Sequence, residues 1–357
     1  MSKEAIRAFV RYYNVQNLGD DLMVFILTHR FQNVDFVISC KEQYSAFHKE
    51  NANVTIKKDY SIVKKVIRRV VGIDIDTFIA EKTCDCVLEV GGSIFIEPTD
   101  HVRSYYRTIK SRQSSIPHFV IGSSFGPYRS ETFYDFYKQQ FSSYQGVSFR
   151  DTYSYSLFNM VLNASKATDI VFGLPLYYQP KRKGIHPIVF CIWNYWKDRR
   201  IIKETVRLIN ELKDHGKEVV LISFCEFEGD NMACEEINRE SADKNRVINY
   251  DGNNVWEIID EISNAEGVVG YRFHSIVIAL AYGTPVFPIA YSLKTEKMLD
   301  DIHYKGDWDR IDSLNGISGE RIIESFKNPT MFNNRECISD STNQFKQFEK
   351  WVLFKKM

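Results

Sequence analysis

The chain has 357 residues, enough for two hydrophobic cores, and 44% of them are hydrophobic with 14% aromatic, as in a folded globular protein. Its 46 Lys and Arg balance 46 Asp and Glu, so no global field draws it to nucleic acid or to a membrane surface. Seven cysteines, an odd number without secretory context, suggest reduced thiols in a cytoplasm; with no CxxC pair and no HExxH pattern, neither a metal nor a resident cofactor is expected.

In chain order, Ala5 to Tyr12 reads as a first strand, with no signal-peptide core before it. The most apolar long segment, Ile276 to Ile289, is broken by Gly283 and two prolines, so no membrane span is expected. The expected location is cytoplasmic, with the inner face of the membrane as an alternative. A turn from Asn14 to Asp21 opens an apolar helix through about Phe31. Asn17, Gly19 and Asp20 stand at its entrance, where Asn or Asp either caps helix N–H groups or contacts a sugar hydroxyl or a reacting group. Val34 to Ser39 and Val54 to Ile56 follow as strands.

From Tyr60 to Val71, Ile62, Val63, Val66, Ile67, Val70 and Val71 share one side of a helix, and Lys64, Lys65, Arg68 and Arg69 the other. Such a helix either lies on an anionic bilayer or covers a sheet with its charged face in water. The second is the default reading.

Cys86 to Val90 is a strand running into Gly91-Gly92-Ser93, and Phe119 to Ile121 one running into Gly122-Ser123-Ser124-Phe125-Gly126-Pro127. Glycines at a strand end allow close backbone approach to a ligand. Neither loop is a GxGxxG or a P-loop, so nucleotide binding is not implied. After a helix from about Glu131 to Tyr144, Val147 to Phe149 ends at Arg150; Asp151 then caps the next helix or pairs with that arginine. Asp169 to Phe172 reads as the last strand of the half, and Pro180 to Gly184 as a linker. The expected domains are therefore 1–180 and 181–340, with a C-terminal helix over 341–357 packing back.

The second half repeats the alternation. Pro187 to Ile192 is a strand followed by the aromatic loop Trp193-Asn194-Tyr195-Trp196, suited to stacking on a sugar or to packing between domains. Ile201 to Leu212 is a helix, Glu218 to Phe224 a strand, and Glu226 to Asp230 an acidic loop. Val268 and Val269 end a buried strand at Gly270. Ile276 and Leu280 belong to a helix stopped by Gly283 and Pro285; a second strand follows to Ile289, and a helix from Lys294. Arg272 and His274 thus sit where a helix opens at the carboxyl end of a strand. Helix N–H groups, a guanidinium and an imidazole there make an anion site with an acid or base close by. The whole pattern describes an α/β chain of two Rossmann-like domains facing a cleft, as in the GT-B architecture.

Several blocks occur in an order that resembles the polysaccharide pyruvyl transferase family. They are N-x-G-D at Asn17 to Asp20, G-G-S at Gly91 to Ser93, S-S-F-G-P at Ser123 to Pro127, S-F-R-D-x-x-S at Ser148 to Ser154, and R-F-H-S-x-x-x-A-x-x-x-G-x-P with Y-x-x-K from Arg272 to Lys294. The resemblance runs from about Asn17 to Asp301. It implies transfer of pyruvate from phosphoenolpyruvate, a co-substrate and not a cofactor, to two hydroxyls of a sugar. The product is a cyclic ketal made during surface polysaccharide (exopolysaccharide) biosynthesis. Carried over residue by residue, it implies Arg150, Arg272, the Phe273 backbone and His274 for the donor, with Lys294 as an added charge. His274 is then the acid and Asp20 the candidate base. Asn17, Gly91, Gly92, Ser93, Ser123 and Trp193 are assigned to the saccharide acceptor. Serines stand where further glycines would strengthen the match, so acceptor identity transfers least. A lipid-linked acceptor would give the Tyr60 to Val71 helix a peripheral membrane role. Two rivals share the architecture: a nucleotide-sugar glycosyltransferase, using the Glu226 to Asp230 loop for ribose or diphosphate, and a non-catalytic sugar-binding protein.

Overall fold

The computed structural model describes residues 5–49, 51–182, 184–193, 198–327, 329 and 332–356. Contacts divide the chain into two compact units. Met1–Asn14, Met23–Ile170 and Thr342–Met357 form the first; Val15–Leu22 and Val171–Ser341 form the second.

The first unit is built on seven strands: β1 (Ile6–Arg11), β2 (Val34–Cys40), β3 (Val54–Lys58), β4 (Cys86–Val90), β5 (His118–Ser123), β6 (Gly146–Phe149) and β7 (Ala164–Lys166). Their order is β3-β2-β1-β4-β5-β6-β7, and every pairing is parallel. Sheets of this kind are covered on both faces, which is why β5 and β6 are buried along their whole length. The register sets Phe9 against both Val37 and Val87, and these three close on Ala80 of the Ile75–Thr83 helix. A second cluster gathers Phe125, Phe133, Phe141, Phe149 and Phe158, with several ring pairs edge to face. The C-terminal helix Lys346–Lys356 belongs to this unit and buries Phe348 and Val352.

Two sequence expectations fail here. Asp169 to Phe172 is not a strand: Ile170–Leu176 winds as a 3-10 helix, and the last strand of the sheet, β7, ends at Lys166. Gly173 and Pro175 interrupt that apolar run, and proline cannot donate to a ladder. The Ser61–Val71 helix does not hide its apolar side either. Lys64 reaches Asp59 at 2.6 Å and Asp76 at 2.7 Å, and Arg68 reaches Asp74 at 3.5 Å, so these two cations face the protein while Ile62, Val63, Val66 and Val70 are exposed.

The second unit has six strands: β8 (Ile188–Ile192), β9 (Val219–Ser223), β10 (Arg246–Asn249), β11 (Gly267–Gly270), β12 (Val286–Ala290) and β13 (Asp309–Arg310). They run parallel in the order β10-β9-β8-β11-β12-β13. Strands β8, β9, β11 and β12 are buried throughout, and their Val, Ile and Phe side chains meet the Arg199–Asp214 and Gly319–Lys327 helices in one core. Each fully buried side chain of this size contributes about 1.5–3 kcal/mol by leaving water. In both sheets the strand order reverses beside the first strand, between β1 and β4 and between β8 and β11. Open α/β sheets bind ligands at the carboxyl ends of the strands flanking such a reversal. Among the described residues no helix is long and apolar enough to cross a membrane.

Candidate active site

In the second unit, β11 ends at Gly270, and Arg272 occupies the N-cap of the Phe273–Tyr282 helix without a side-chain cap. Its side chain turns instead to the loop after β9. Nε donates to Asp230 Oδ2 at 2.8 Å, Nη2 to Asp230 Oδ1 at 2.5 Å, and Nη1 to Glu228 Oε2 at 2.6 Å. Asp230 is fully buried and also accepts from the backbone N–H groups of Phe224 and Cys225. Burial works against the Arg272 charge, but Asp230 and Glu228 outweigh it and hold the guanidinium above its ordinary value. The acidic loop that the rival nucleotide reading needed is therefore the counter-ion of Arg272.

His274 lies two residues further, half-buried, with Phe273 edge-on to its ring at 5.2 Å. The ring rests on Gly19: a methyl group at that Cα would overlap Nδ1, Cγ and Cε1 of His274 outright. Gly19 is held by its own neighbours, since its N–H donates to Asn17 Oδ1 at 3.2 Å, Leu18 N donates to Phe224 O, and Tyr250 donates to Asp21 Oδ2 at 2.9 Å. Asp20, next along the Leu18–Arg30 helix, is buried. Thus Asn17, Asp20, Phe273 and His274 are brought to one locality by Gly19.

Trp193 stacks on Tyr291 at 4.0 Å, and Lys294 Nζ lies 5.0 Å from the same tyrosine ring. Tyr291 in turn lies near Arg272. Tyr195 and Trp196, named with Trp193 from the sequence, lie outside the described residues.

In the first unit, β6 delivers Arg150, which is buried. Its Nη1 donates to Asp169 Oδ2 at 2.8 Å, Nε to Ser124 Oγ at 2.9 Å, and Nη2 to Ser93 Oγ at 3.5 Å. Gly92 makes room for it: a methyl there would stand 2.5–2.6 Å from the guanidinium atoms. Asp151 caps the Thr152–Phe158 helix through Ser154 N, so the partner of Arg150 is Asp169 and not its neighbour. Ser123 is fully buried, and its hydroxyl donates to the carbonyls of Gly92 and Ser124. Gly91 N donates to Ile121 O at 3.4 Å, tying the two glycine loops together.

Beside Ser93, a cavity of about 350 Å³ opens along β1 and β4, lined by Arg11, Tyr12, Glu89, Tyr105 and Gln140 among others. Burial pushes the Glu89 carboxyl up, but His118, Arg11 and Arg112 outweigh it and hold it down at about 2. Tyr144 stacks flat on His118 at 4.1 Å.

Several partners escaped the sequence reading. Ser124, not Ser123, meets Arg150; Asp169 and Asp230 are the buried counter-ions. Gln344, from the C-terminal segment, accepts from Gly122 N and Ser148 Oγ and donates to the carbonyls of Phe149, Ala167 and Thr168. It thereby fixes the backbone on either side of the Arg150–Asp169 pair. The acidic loop carried a visible signal for Asp230; Gln344 carried none.

Comparison with known proteins adds the family. The model of the family described as polysaccharide pyruvyl transferase matches residues 17–292, which include every block quoted above except Lys294. The amylovoran biosynthesis protein AmsJ of Erwinia amylovora is 21% identical over 283 residues, a stretch covering 66% of this chain and 66% of that relative, just under two thirds of its length. Among solved structures, the UDP-GlcNAc 2-epimerase of Methanocaldococcus jannaschii is similar with a TM-score of 0.62 at 10% identity, covering 97% of this chain and 100% of that one. A glycosyltransferase from Rickettsia africae gives 0.52 at 10% identity, over 99% and 98%. At such identities these two speak for the GT-B-like fold alone. The order of the blocks and the length of the matched segment agree: the chain belongs to the polysaccharide pyruvyl transferase family.

Proposed function

We propose that this protein moves pyruvate from phosphoenolpyruvate onto two hydroxyls of a saccharide, closing a cyclic ketal during synthesis of a surface polysaccharide. The observation that carries the reading is the seating of His274 on Gly19, two residues after Arg272 at the start of a helix. The donor bears a phosphate and a carboxylate, and both suit a guanidinium fork and helix N–H groups. A donor oxygen would compete with Glu228 for Arg272 Nη1. Arg150 is assigned to the donor by the family resemblance, and Lys294 adds charge beside Tyr291.

The chemistry follows from the charge. His274, as imidazolium, gives its proton to the donor methylene, leaving an electron-poor carbon between carboxylate and phosphate oxygen. One saccharide hydroxyl attacks that carbon, and its proton returns to the imidazole, with Asp20 as the base that assists. The carbon–oxygen bond to phosphate then breaks, the electron pair leaving with phosphate. The second hydroxyl closes the ring, and its proton goes to the departing phosphate. General acid–base help of this kind is worth roughly 10²–10⁴-fold.

The cavity beside Ser93 supports an acceptor side in the first unit, because aromatic faces with carboxylate, guanidinium and amide groups are what a sugar ring and its hydroxyls need. Of the residues carried for that role, Gly91, Gly92, Ser93 and Ser123 belong to the first unit, whereas Asn17 and Trp193 belong to the second. The test is phosphate release from phosphoenolpyruvate in the presence of a panel of hexosides and lipid-linked saccharides, with mass spectrometry of the product. A pyruvate ketal formed by wild type and lost in His274→Gln supports the reading. Near-normal turnover in His274→Gln removes the acid role, and sugar binding with no phosphate release across the panel revives the non-catalytic rival.

A further inference from the structure

We propose that the first unit docks on an anionic phospholipid surface through the outward face of the Ser61–Val71 helix, with the basic face of the Val102–Ser111 helix beside it. The helix is amphipathic, yet two of its four cations are anchored on the protein: Lys64 is held by Asp59, Asp76 and Ser39, and Arg68 by Asp74. Those contacts turn Ile62, Val63, Val66 and Val70 outward, and Ile62 and Val70 each keep 77% of their surface exposed. Tyr60, Val71, Ile73 and Phe78 extend the exposed apolar set. An apolar strip of this kind rimmed by polar groups marks an interaction site.

Charge selects the partner. Of the four cations in residues 60–73, Lys64 and Arg68 are paired with Asp59, Asp74 and Asp76, which leaves Lys65 and Arg69, and the Val102–Ser111 helix carries three more with no carboxylate of its own. Lys65 and Arg69 are exposed, as are Arg103, Arg107 and Lys110. Gly72, Val102, Arg103, Arg107 and Lys110 line one shallow depression, so the two basic surfaces adjoin. In a chain of zero net charge this is a local excess. An apolar strip flanked by Lys and Arg is the arrangement that sinks into the headgroup boundary, with the long side chains reaching anionic phosphates. A second copy of the chain fits less well, because a two-fold contact on this face would set cations against cations.

The experiment is flotation of the 357-residue chain with vesicles of phosphatidylcholine alone and of phosphatidylcholine mixed equally with phosphatidylglycerol. It needs no catalytic readout, so its outcome is separate from that of the pyruvyl transfer reading. The expected result is flotation with the anionic vesicles only, not reversed by soluble glycerol phosphate. The double variant Val66→Asp/Val70→Asp should lose it. Lys65→Ser/Arg69→Ser should weaken it by roughly fivefold for each charge removed. Both pairs are exposed, so unchanged melting temperatures are expected and serve as the folding control. Absence of flotation by wild type, or equal flotation by Val66→Asp/Val70→Asp, overturns the proposal. So does a wild-type dimer in sedimentation that this variant dissociates while no vesicle binds.

Discussion

The imidazole of His274 lies against the Cα of Gly19, residues 255 positions apart that meet within one unit because the first turn of the Leu18–Arg30 helix docks on the loop after β9. The glycine is there for want of a side chain. Alanine is normally the better residue in a helix, by roughly 0.5–1 kcal/mol. At buried Gly19 the overlap with the ring opposes that gain by about 1–3 kcal/mol, so Gly19→Ala should lower the melting temperature modestly while displacing the His274 ring and cutting turnover by about 10²-fold or more, the scale of a lost acid–base group. Paired kinetics and thermal unfolding check this. Unchanged turnover would mean that the ring's position against Gly19 does not matter.

Arg272 is shared by two carboxylates of unequal standing. Asp230 is sealed and holds two of its nitrogens; Glu228 is partly exposed and holds one. Glu228→Gln should lower the KM for phosphoenolpyruvate, because the competing charge is gone and the amide gives up Nη1 more readily. Asp230→Asn should instead destabilise the fold, by about 3–5 kcal/mol, since it leaves a buried cation short of its partner. Donor saturation curves and denaturant unfolding separate the two effects.

Arg150 likewise depends on a buried carboxylate. Asp169→Asn removes its buried counter-ion and should lower stability on a similar scale, about 3–5 kcal/mol. Gly92→Ala crowds the guanidinium without touching any charge, so its expected effect is a higher KM for the donor with a smaller loss of stability. If Gly92→Ala behaves as wild type in both assays, Arg150 is structural and its role in donor binding falls.

His118 sets the acid side of the stability profile. Burial holds its ring below the ordinary 6.5, although Glu89 opposes, so the folded protein keeps it neutral where the unfolded chain would protonate. Its folded value is depressed, and its contribution is therefore complete above 6.5 and lost as pH falls below that value. Glu89, depressed from 4.5 to about 2, acts in the same direction but only below 4.5. Melting temperatures should fall between pH 7 and pH 5, and His118→Gln should flatten that part of the curve. A curve unchanged by the substitution would contradict this.

Much of the architecture was legible because buried parallel strands spell themselves out. Ile-Val-Phe-Cys-Ile, Val-Val-Leu-Ile-Ser and Gly-Val-Val-Gly are apolar on both faces, with helices between them. The strand-end positions of Arg150 and Arg272 followed from the same runs. What their side chains touch did not, since the counter-ions come from loops 19 and 42 residues away whose approach depends on tertiary packing. The Ser61–Val71 helix misled for a physical reason. An amphipathic pattern gives two faces but not which one is inward, and the choice was made by Asp59, Asp74 and Asp76 outside the helix. Gln344 was invisible because a buried glutamine bonding to backbone has no sequence signature.

The proposed service of Arg272 and His274 to phosphoenolpyruvate can be tested by ligand binding alone. A thermal-shift titration tests it most directly, with phosphoenolpyruvate and, separately, UDP-N-acetylglucosamine, on wild type and on Arg272→Lys, which keeps the charge but loses the fork. Binding to the folded state alone raises the melting temperature with ligand concentration. The melting temperature should rise with phosphoenolpyruvate, less so in Arg272→Lys, and not with the nucleotide sugar. A rise with the nucleotide sugar and none with phosphoenolpyruvate would contradict that service.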